Sequence, residues 1–348
     1  MAGPNDLAVR ARNLSKSYFV PVRKSGFLGG LRTLVSQEKR RVDAVKDVSL
    51  DIRHGEFVGY IGPNGAGKST TVKMLTGILH PTSGEALVDG LSPQSQRQEL
   101  ARRIGVVFGQ RTQLWWDLPT IDSFDILSAM YDVSASQYRS FLKEFDDLLG
   151  IGEFLDTPVR RLSLGQRMRA ELAAALIHRP SILFLDEPTI GLDVVAKGRM
   201  REFLTTLNGT RGVTVLLTTH DLRDIEELCH RVLMVNHGSL IYDGTLESLR
   251  SQANLPTILE VKYYRLPEGL RADSYLGPGG EVSAAPLNGS WHVTSVNTDS
   301  RSVRVQFDRS HSPAPVVIAA MQALGEIRDV SLKEPAIDDI IKRVLEVK

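Results

Sequence analysis

Only one cysteine, Cys229, occurs in 348 residues, so no internal disulfide can form and the chain suits a reducing compartment. Neither sign of charge prevails. The 42 Lys and Arg against 41 Asp and Glu leave a net charge of +1, which excludes bulk attraction to nucleic acid or acidic lipid. No apolar run approaches the roughly 18–20 residues that a bilayer-spanning helix needs. Residues Met1 to Asp6 carry neither a charged n-region nor an apolar h-region, so no signal peptide is expected. Internal repeats, long low-complexity tracts and the Asn-Lys-x-Asp element that reads a guanine base are missing too. What remains is 42% hydrophobic and 24% charged, an ordinary globular mix with enough apolar material for a large core. The expectation is a cytosolic chain that meets a membrane only through a partner.

Against these absences stands one dense stretch, Gly62-Pro63-Asn64-Gly65-Ala66-Gly67-Lys68-Ser69-Thr70, of the form G-x-x-x-x-G-K-[ST]. The apolar run Phe57 to Ile61 precedes it and reads as a buried strand. A helical pattern from Thr71 to Leu79 follows, with Val72, Leu75 and Ile78 on one face. Strand, glycine loop and helix in that order are the context a phosphate loop requires; the alternative is a glycine-rich turn with a chance lysine. Glycines let successive backbone N–H groups turn inward as an anion nest, and the helix N-terminus adds unpaired donors. Lys68 can reach the β- and γ-phosphates. The Ser69 hydroxyl suits Mg²⁺, a hard cation with oxygen ligands.

Further apolar runs of strand length alternate with helical patterns, among them Ile104–Phe108, Ile182–Leu185 and Val213–Thr219. They end at Gly109-Gln110, Asp186-Glu187 and His220-Asp221. Two acids closing a strand buried on both faces are not a packing solution. The whole reads as a doubly wound α/β fold with its ligand outside the carboxyl ends of the strands. Ile121–Leu149 is helical throughout, part of a helical subdomain at about 115–180, and Ser163 has N-cap chemistry for a helix running to His178.

A first strand, Leu7–Leu14, leads to Tyr18. An insertion without clear period follows at about 19–42. Within it Phe27, Leu28, Leu31, Leu34 and Val35 have helical spacing, and Arg23, Lys24, Arg32, Lys39, Arg40 and Arg41 face one acid, Glu38. It reads as a solvated insertion packed on its parent domain, or as a basic amphipathic piece for a membrane surface or a partner helix. Past Ser251 the character changes: Leu259–Tyr263 and Val303–Phe307 alternate cleanly, and Ile337, Ile340, Ile341, Val344 and Leu345 fall on one helical stripe. The expected organisation is a nucleotide-binding domain over 1–250 and a small α+β accessory domain over 251–348, the latter without any constellation that suggests chemistry.

After the phosphate loop come Gln110, Leu162-Ser163-Leu164-Gly165-Gln166, Ile182 to Glu187, Gly191-Leu192-Asp193 and His220. Their order and spacing resemble the ATP-binding-cassette (ABC) ATPases over about residues 7–250. Gln110 stands where that family has its Q-loop glutamine. Residues 162–166 are similar to its signature motif, usually Leu-Ser-Gly-Gly-Gln, and residues 182–187 to the Walker B strand with its adjoining glutamate. Residues 191–193 resemble the D-loop, and His220 the switch histidine. The signature is the most specific of these, because other phosphate-loop families lack it.

The resemblance implies a P-loop NTPase of the ABC nucleotide-binding type with a helical insertion, and ATP with Mg²⁺ as cofactors. It implies that Ser69 and Asp186 hold Mg²⁺, that Gln110 senses the ion or the water, and that Glu187 orients or deprotonates the attacking water. His220 would contact the γ-phosphate and fix Glu187. Tyr18 would stack on adenine, although the family's aromatic lies closer to the phosphate loop; core packing is the alternative. Ser163, Gly165 and Gln166, at a helix N-terminus, would reach the γ-phosphate of ATP on a second cassette, identical or not, with Asp193 coupling the two sites. Leu164 departs from the usual glycine and bears on how closely the backbone approaches there.

One cassette without a membrane span implies the ATP-hydrolysing subunit of an ABC-2 type exporter, peripheral on the inner face of the cell membrane through a separate permease. Trp115 and Trp116 offer an aromatic surface for a permease helix, or else pack in the core. The alternative function is a soluble cassette ATPase acting on ribosomes or DNA. Translation members usually carry two cassettes and repair members long coiled coils. This chain has neither, so no nucleic-acid partner is expected.

Overall fold

Strand pairing at the start of the chain runs further than the sequence pattern indicates. β1 (Leu7–Pro21) and β2 (Lys39–Arg53) pair antiparallel to their ends, with Tyr18 opposite Val42 and Pro21 opposite Lys39. The insertion expected at 19–42 therefore loses both flanks to this ribbon, where cross-strand pairing outweighs a polar, basic composition. Its middle, with Phe27, Leu28, Leu31, Leu34 and Val35, lies outside the described residues. The computed structural model describes residues 6–21, 39–109, 111–253, 255–267, 291–309 and 311–347. The chain divides into two units, Met1–Leu246 and Glu247–Lys348.

In the first unit β3 (Phe57–Ile61) is followed by the glycine loop, α1 (Lys68–Leu75) and β4 (Ser83–Val88). β4 joins the free edge of β1 to give a three-stranded sheet of order β2-β1-β4. Next come α2 (Arg97–Ala101), β5 (Ile104–Phe108), α3 (Thr120–Met130), α4 (Ala135–Leu149) and α5 (Leu164–Leu176). The remainder is β6 (Ile182–Asp186), α6 (Val194–Arg211), β7 (Thr214–Thr218), α7 (Leu222–Leu228), β8 (Arg231–Asn236) and β9 (Ser239–Thr245). A six-stranded sheet has the order β5-β6-β7-β3-β8-β9, parallel except for β9.

The residues of β3 and β7 are buried throughout, which is why they read as unbroken apolar runs. Phe184, Leu216 and Tyr60 pack into one cluster with Val9, Leu50 and Met74. Each fully buried Leu, Val or Phe contributes about 1.5–3 kcal/mol over an exposed one. Parallel order brings the carboxyl ends of β3, β6 and β7 together, and the loops leaving those ends carry the site.

The single helical pattern expected over Ile121–Leu149 is two helices. Asp132 takes a left-handed backbone, φ +56°, and Ser134 with Gln137 forms a reciprocal capping box that starts α4. Competing side-chain-to-backbone bonds at Ser134 end one helix and begin another.

α8 (Leu246–Ala253) starts on the last residue of the first unit, and the second unit goes on with β10 (Thr257–Tyr263), β11 (Trp291–Asn297), β12 (Ser302–Phe307), α9 (Ala314–Leu324), β13 (Ile327–Lys333) and α10 (Ile337–Val347). Its four-stranded sheet runs β11-β12-β10-β13. The inward residues Leu259, Val261, Val303, Val305 and Phe307 form its core with Val317 and Met321 of α9. The loop expected at Leu276–Gly280 lies outside the described residues. Among the described residues, no helix is long and apolar enough to cross a membrane.

Candidate functional site

Gly67 makes the turn from loop to helix. It caps α1 at φ 102°, and a Cβ there would lie 2.3 Å from the Ala44 carbonyl oxygen of β2. No L side chain fits that approach. Behind the loop, the Thr71 hydroxyl donates to the Gly67 carbonyl (3.1 Å) and accepts from the Tyr60 hydroxyl (3.2 Å). Burial pushes the Tyr60 phenol up to about 12. Pro63, Asn64 and Gly65 stay exposed while Ala66 is buried, so the loop's tip faces solvent on a fixed base.

Lys68 and Ser69 open α1, with Thr70 next to them. The Lys68 Nζ donates to the carbonyls of Gly62 (2.8 Å) and Pro63 (3.2 Å). Burial pulls its pKa below the usual lysine value, opposed by the fields of Glu187 and Asp186. The Ser69 hydroxyl donates to Asp186 Oδ1 at 3.0 Å, and the same oxygen accepts from Thr218 Oγ1 at 2.6 Å. Two hard oxygen donors, one anionic, thus converge beside the phosphate loop.

Glu187 follows at the end of β6 in a left-handed conformation, φ +54°. Its N–H donates to the Thr218 carbonyl (2.9 Å) and to Thr218 Oγ1 (3.2 Å). His220 Nδ1 lies 3.7 Å from Glu187 Oε1. Gly109 is tied to the same strand end by its N–H on the Asp186 carbonyl, 2.9 Å. Gln110, the next residue, lies outside the described residues.

A second group stands apart. Ser163 caps α5: its hydroxyl accepts from the Gln166 N–H (3.2 Å), and Gln166 Oε1 accepts from the Ser163 N–H (2.9 Å). Asp193 caps α6 by accepting from the Ala196 N–H at 2.8 Å. With Gly165 and Leu192 these residues line a cleft of about 740 Å³. Leu164 Cδ2 would meet a Cβ on Gly191 at 2.8 Å, so the leucine that replaces the usual glycine lies over the bare backbone of the D-loop-like segment. Among the described residues, no hydrogen bond or ion pair joins residues 163–166 to the phosphate loop.

Tyr18 is 38% exposed in the ribbon, with Lys16 Nζ 5.5 Å from its ring centroid. Trp115 and Trp116 are 38% and 46% exposed. Neither Tyr18 nor the tryptophan pair is a core residue. Sequence reasoning missed Thr71, Thr218, Thr189, Thr219 and Asp224. Thr71 reads as an ordinary helix residue and is signalled only by its bonds to Gly67 and Tyr60. The other threonines read as ordinary strand or turn residues, and only their positions beside Asp186, Glu187 and His220 signal them.

The family model for ABC transporters matches residues 45–190. The ABC transporter ATP-binding protein NatA of Bacillus subtilis is 36% identical over 212 residues, 61% of this chain and 86% of that protein. The daunorubicin resistance ATP-binding protein DrrA3 of Streptomyces coeruleorubidus is 33% identical over 318 residues, 88% of this chain and 93% of that protein. A solved dimeric ATP-binding cassette in a post-hydrolysis state, bound to ADP and Pi, superposes with a TM-score of 0.57 at 28% identity, covering 68% of this chain and 98% of that one. Phosphate loop, acid-ended strand, signature-like helix start and these relatives converge on one conclusion: the chain belongs to the ABC transporter family, as an ATP-binding subunit that hydrolyses ATP.

Proposed function

We propose that the chain powers export through a separate membrane permease, in a cycle where ATP closes two cassettes on each other and hydrolysis lets them part. The observation that carries this reading is the meeting of Lys68, Ser69, Asp186, Glu187 and His220 at neighbouring strand ends. A polyphosphate there meets a cation, hard oxygen ligands, a carboxylate and an imidazole together.

The loop N–H groups of residues 62–67 and Lys68 hold the β- and γ-phosphates. Ser69 and Asp186 are the residues that would hold Mg²⁺, and the donor set fits. Among the described residues no cage of three His, Cys, Asp or Glu exists, which suits an ion that keeps its waters and takes phosphate oxygens. Bound there, the ion supplies charge neutralisation on the phosphate oxygens. Glu187 orients the attacking water and accepts its proton. His220 steadies Glu187 and the γ-phosphate, and Gln110 senses the loaded state. Tyr18 covers the adenine.

Ser163, Gly165 and Gln166 sit at the positive end of α5, an anion site that completes the pocket of a second cassette, with Asp193 at the seam. ATP held only in the closed pair stabilises it by mass action. The likeness to a drug-resistance ATP-binding protein over 88% of this chain supports export, and the exposed Trp115–Trp116 pair supports a permease helix as neighbour. The chain then sits on the inner membrane face through that permease. A tagged chain should co-purify from detergent-solubilised membranes with a multispanning protein that stimulates its ATP turnover. Recovery from the soluble fraction alone, with no such companion, overturns the reading.

A further inference from the structure

Glu187 pays for its position: a left-handed backbone is strained for any residue with a long side chain and persists only where its surroundings over-determine it. On its N-terminal side Thr218 does this, as described. On its C-terminal side Pro188 limits the backbone, and then Thr189, 4% exposed, donates its hydroxyl to Asp224 Oδ2 at 2.7 Å. That same oxygen accepts from the Thr219 hydroxyl at 3.2 Å, and Thr219 immediately precedes His220. Thr219 Oγ1 in turn accepts from the Asp221 N–H at 2.9 Å. The other Asp224 oxygen accepts from Arg201 Nη1 of α6 at 3.1 Å. Asp224 is 0% exposed and Arg201 8%.

One buried carboxylate on α7 therefore grips the chain two residues after Glu187 and one residue before His220, and is itself anchored to α6. A buried ion pair is a poor way to gain stability, because desolvation offsets most of its attraction. What it does supply is direction: Arg201, which also pairs with Glu227, occupies one Asp224 oxygen and leaves the other to accept from two hydroxyls.

We propose that Asp224, acting through Thr189 and Thr219, is the positioning residue that holds Glu187 and His220 at working distance, without itself touching nucleotide. This rests on the reading of Glu187 as the group that orients the attacking water. Thr189→Val tests it with little change of shape, since it removes one hydroxyl and leaves the Asp224–Arg201 pair intact. Steady-state ATP hydrolysis by the purified full chain should show kcat lower by roughly 10- to 100-fold, as expected for a misplaced catalytic group. KM and the affinity for ATP should stay within about twofold. Thr189→Ser should return kcat to near the parent value.

Glu187→Gln, run beside these variants, separates the two ideas. If Glu187→Gln is inactive while Thr189→Val keeps its kcat, the positioning role is overturned and the role of Glu187 stands. If Glu187→Gln turns over normally, the underlying reading fails and takes the proposal with it. A Thr189→Val chain that loses kcat, ATP affinity and melting temperature together, with no rescue by serine, marks a merely structural contact and also overturns it. Should Thr189→Val not fold, Thr219→Val is read by the same criteria.

Discussion

Single residues decide whether a polyphosphate fits. Gly67 is the sharpest case, since its positive φ and the Ala44 carbonyl 2.3 Å from any added Cβ act together. Gly67→Ala should strain the loop by about 1–3 kcal/mol and weaken ATP binding by at least roughly tenfold. Titration with a fluorescent ATP analogue measures it, and parent-like affinity would contradict the account. Lys68, Ser69, Asp186 and Glu187 were legible because their chemistry is wasteful anywhere but at a site: a glycine loop running into Lys-Ser, and two acids ending a buried strand. Asp224 was not legible. It lies in a polar helix, and an acid in such a pattern ordinarily faces water; only the fold places Thr189, Thr219 and Arg201 around it.

Elements transmit what residues hold. α5 carries Ser163 and Gln166 at its start and Glu171 two turns on, 3% exposed. Glu171 accepts from the Thr112 hydroxyl and from the Gln113 N–H (3.2 Å), binding the loop that leaves β5 to this helix. Burial raises its carboxyl above the ordinary 4.5, against the lowering effect of those hydrogen bonds. A raised folded-state value means that the stability this group contributes is complete below the unfolded value and is lost as pH rises through the folded one. Glu171→Gln removes that titration. Melting temperatures of the two chains, compared from about pH 4.5 to 7.5, should therefore diverge in favour of the variant as pH rises, by roughly 2–4 °C for each kcal/mol of charge burial relieved. A constant difference across that range would contradict the argument.

Element type was easiest to read where one face or both are buried, as in β3, β6 and β7. It failed where local hydrogen bonds intervene. Ser134-x-x-Gln137 is a helix-start signature hidden inside a longer apolar period. β11 is not legible as a strand because its alternation, Trp291 and Val293 inward, is broken by a register shift before Ser295.

At the scale of the whole molecule, the chain carries two unequal halves of chemistry. Lys68, Ser69, Asp186, Glu187 and His220 form one, while Ser163, Gly165, Gln166 and Asp193 form the other. Among the described residues no hydrogen bond or ion pair links the signature-like start of α5 to the phosphate loop. On the function proposed above, such a chain works with another cassette that brings its own α5 to the open side of the nucleotide. In the sequence it is implied only by the resemblance of residues 162–166 to the signature motif; composition and spacing alone do not give it, since it depends on a partner that is not in the chain. The arrangement should show itself most directly in Glu187→Gln with ATP and Mg²⁺, measured by light scattering. The account predicts a mass that doubles as ATP saturates, with one unhydrolysed ATP held per chain, and that returns to the single-chain value when nucleotide is removed. A variant that binds ATP yet keeps the single-chain mass at every concentration would contradict it.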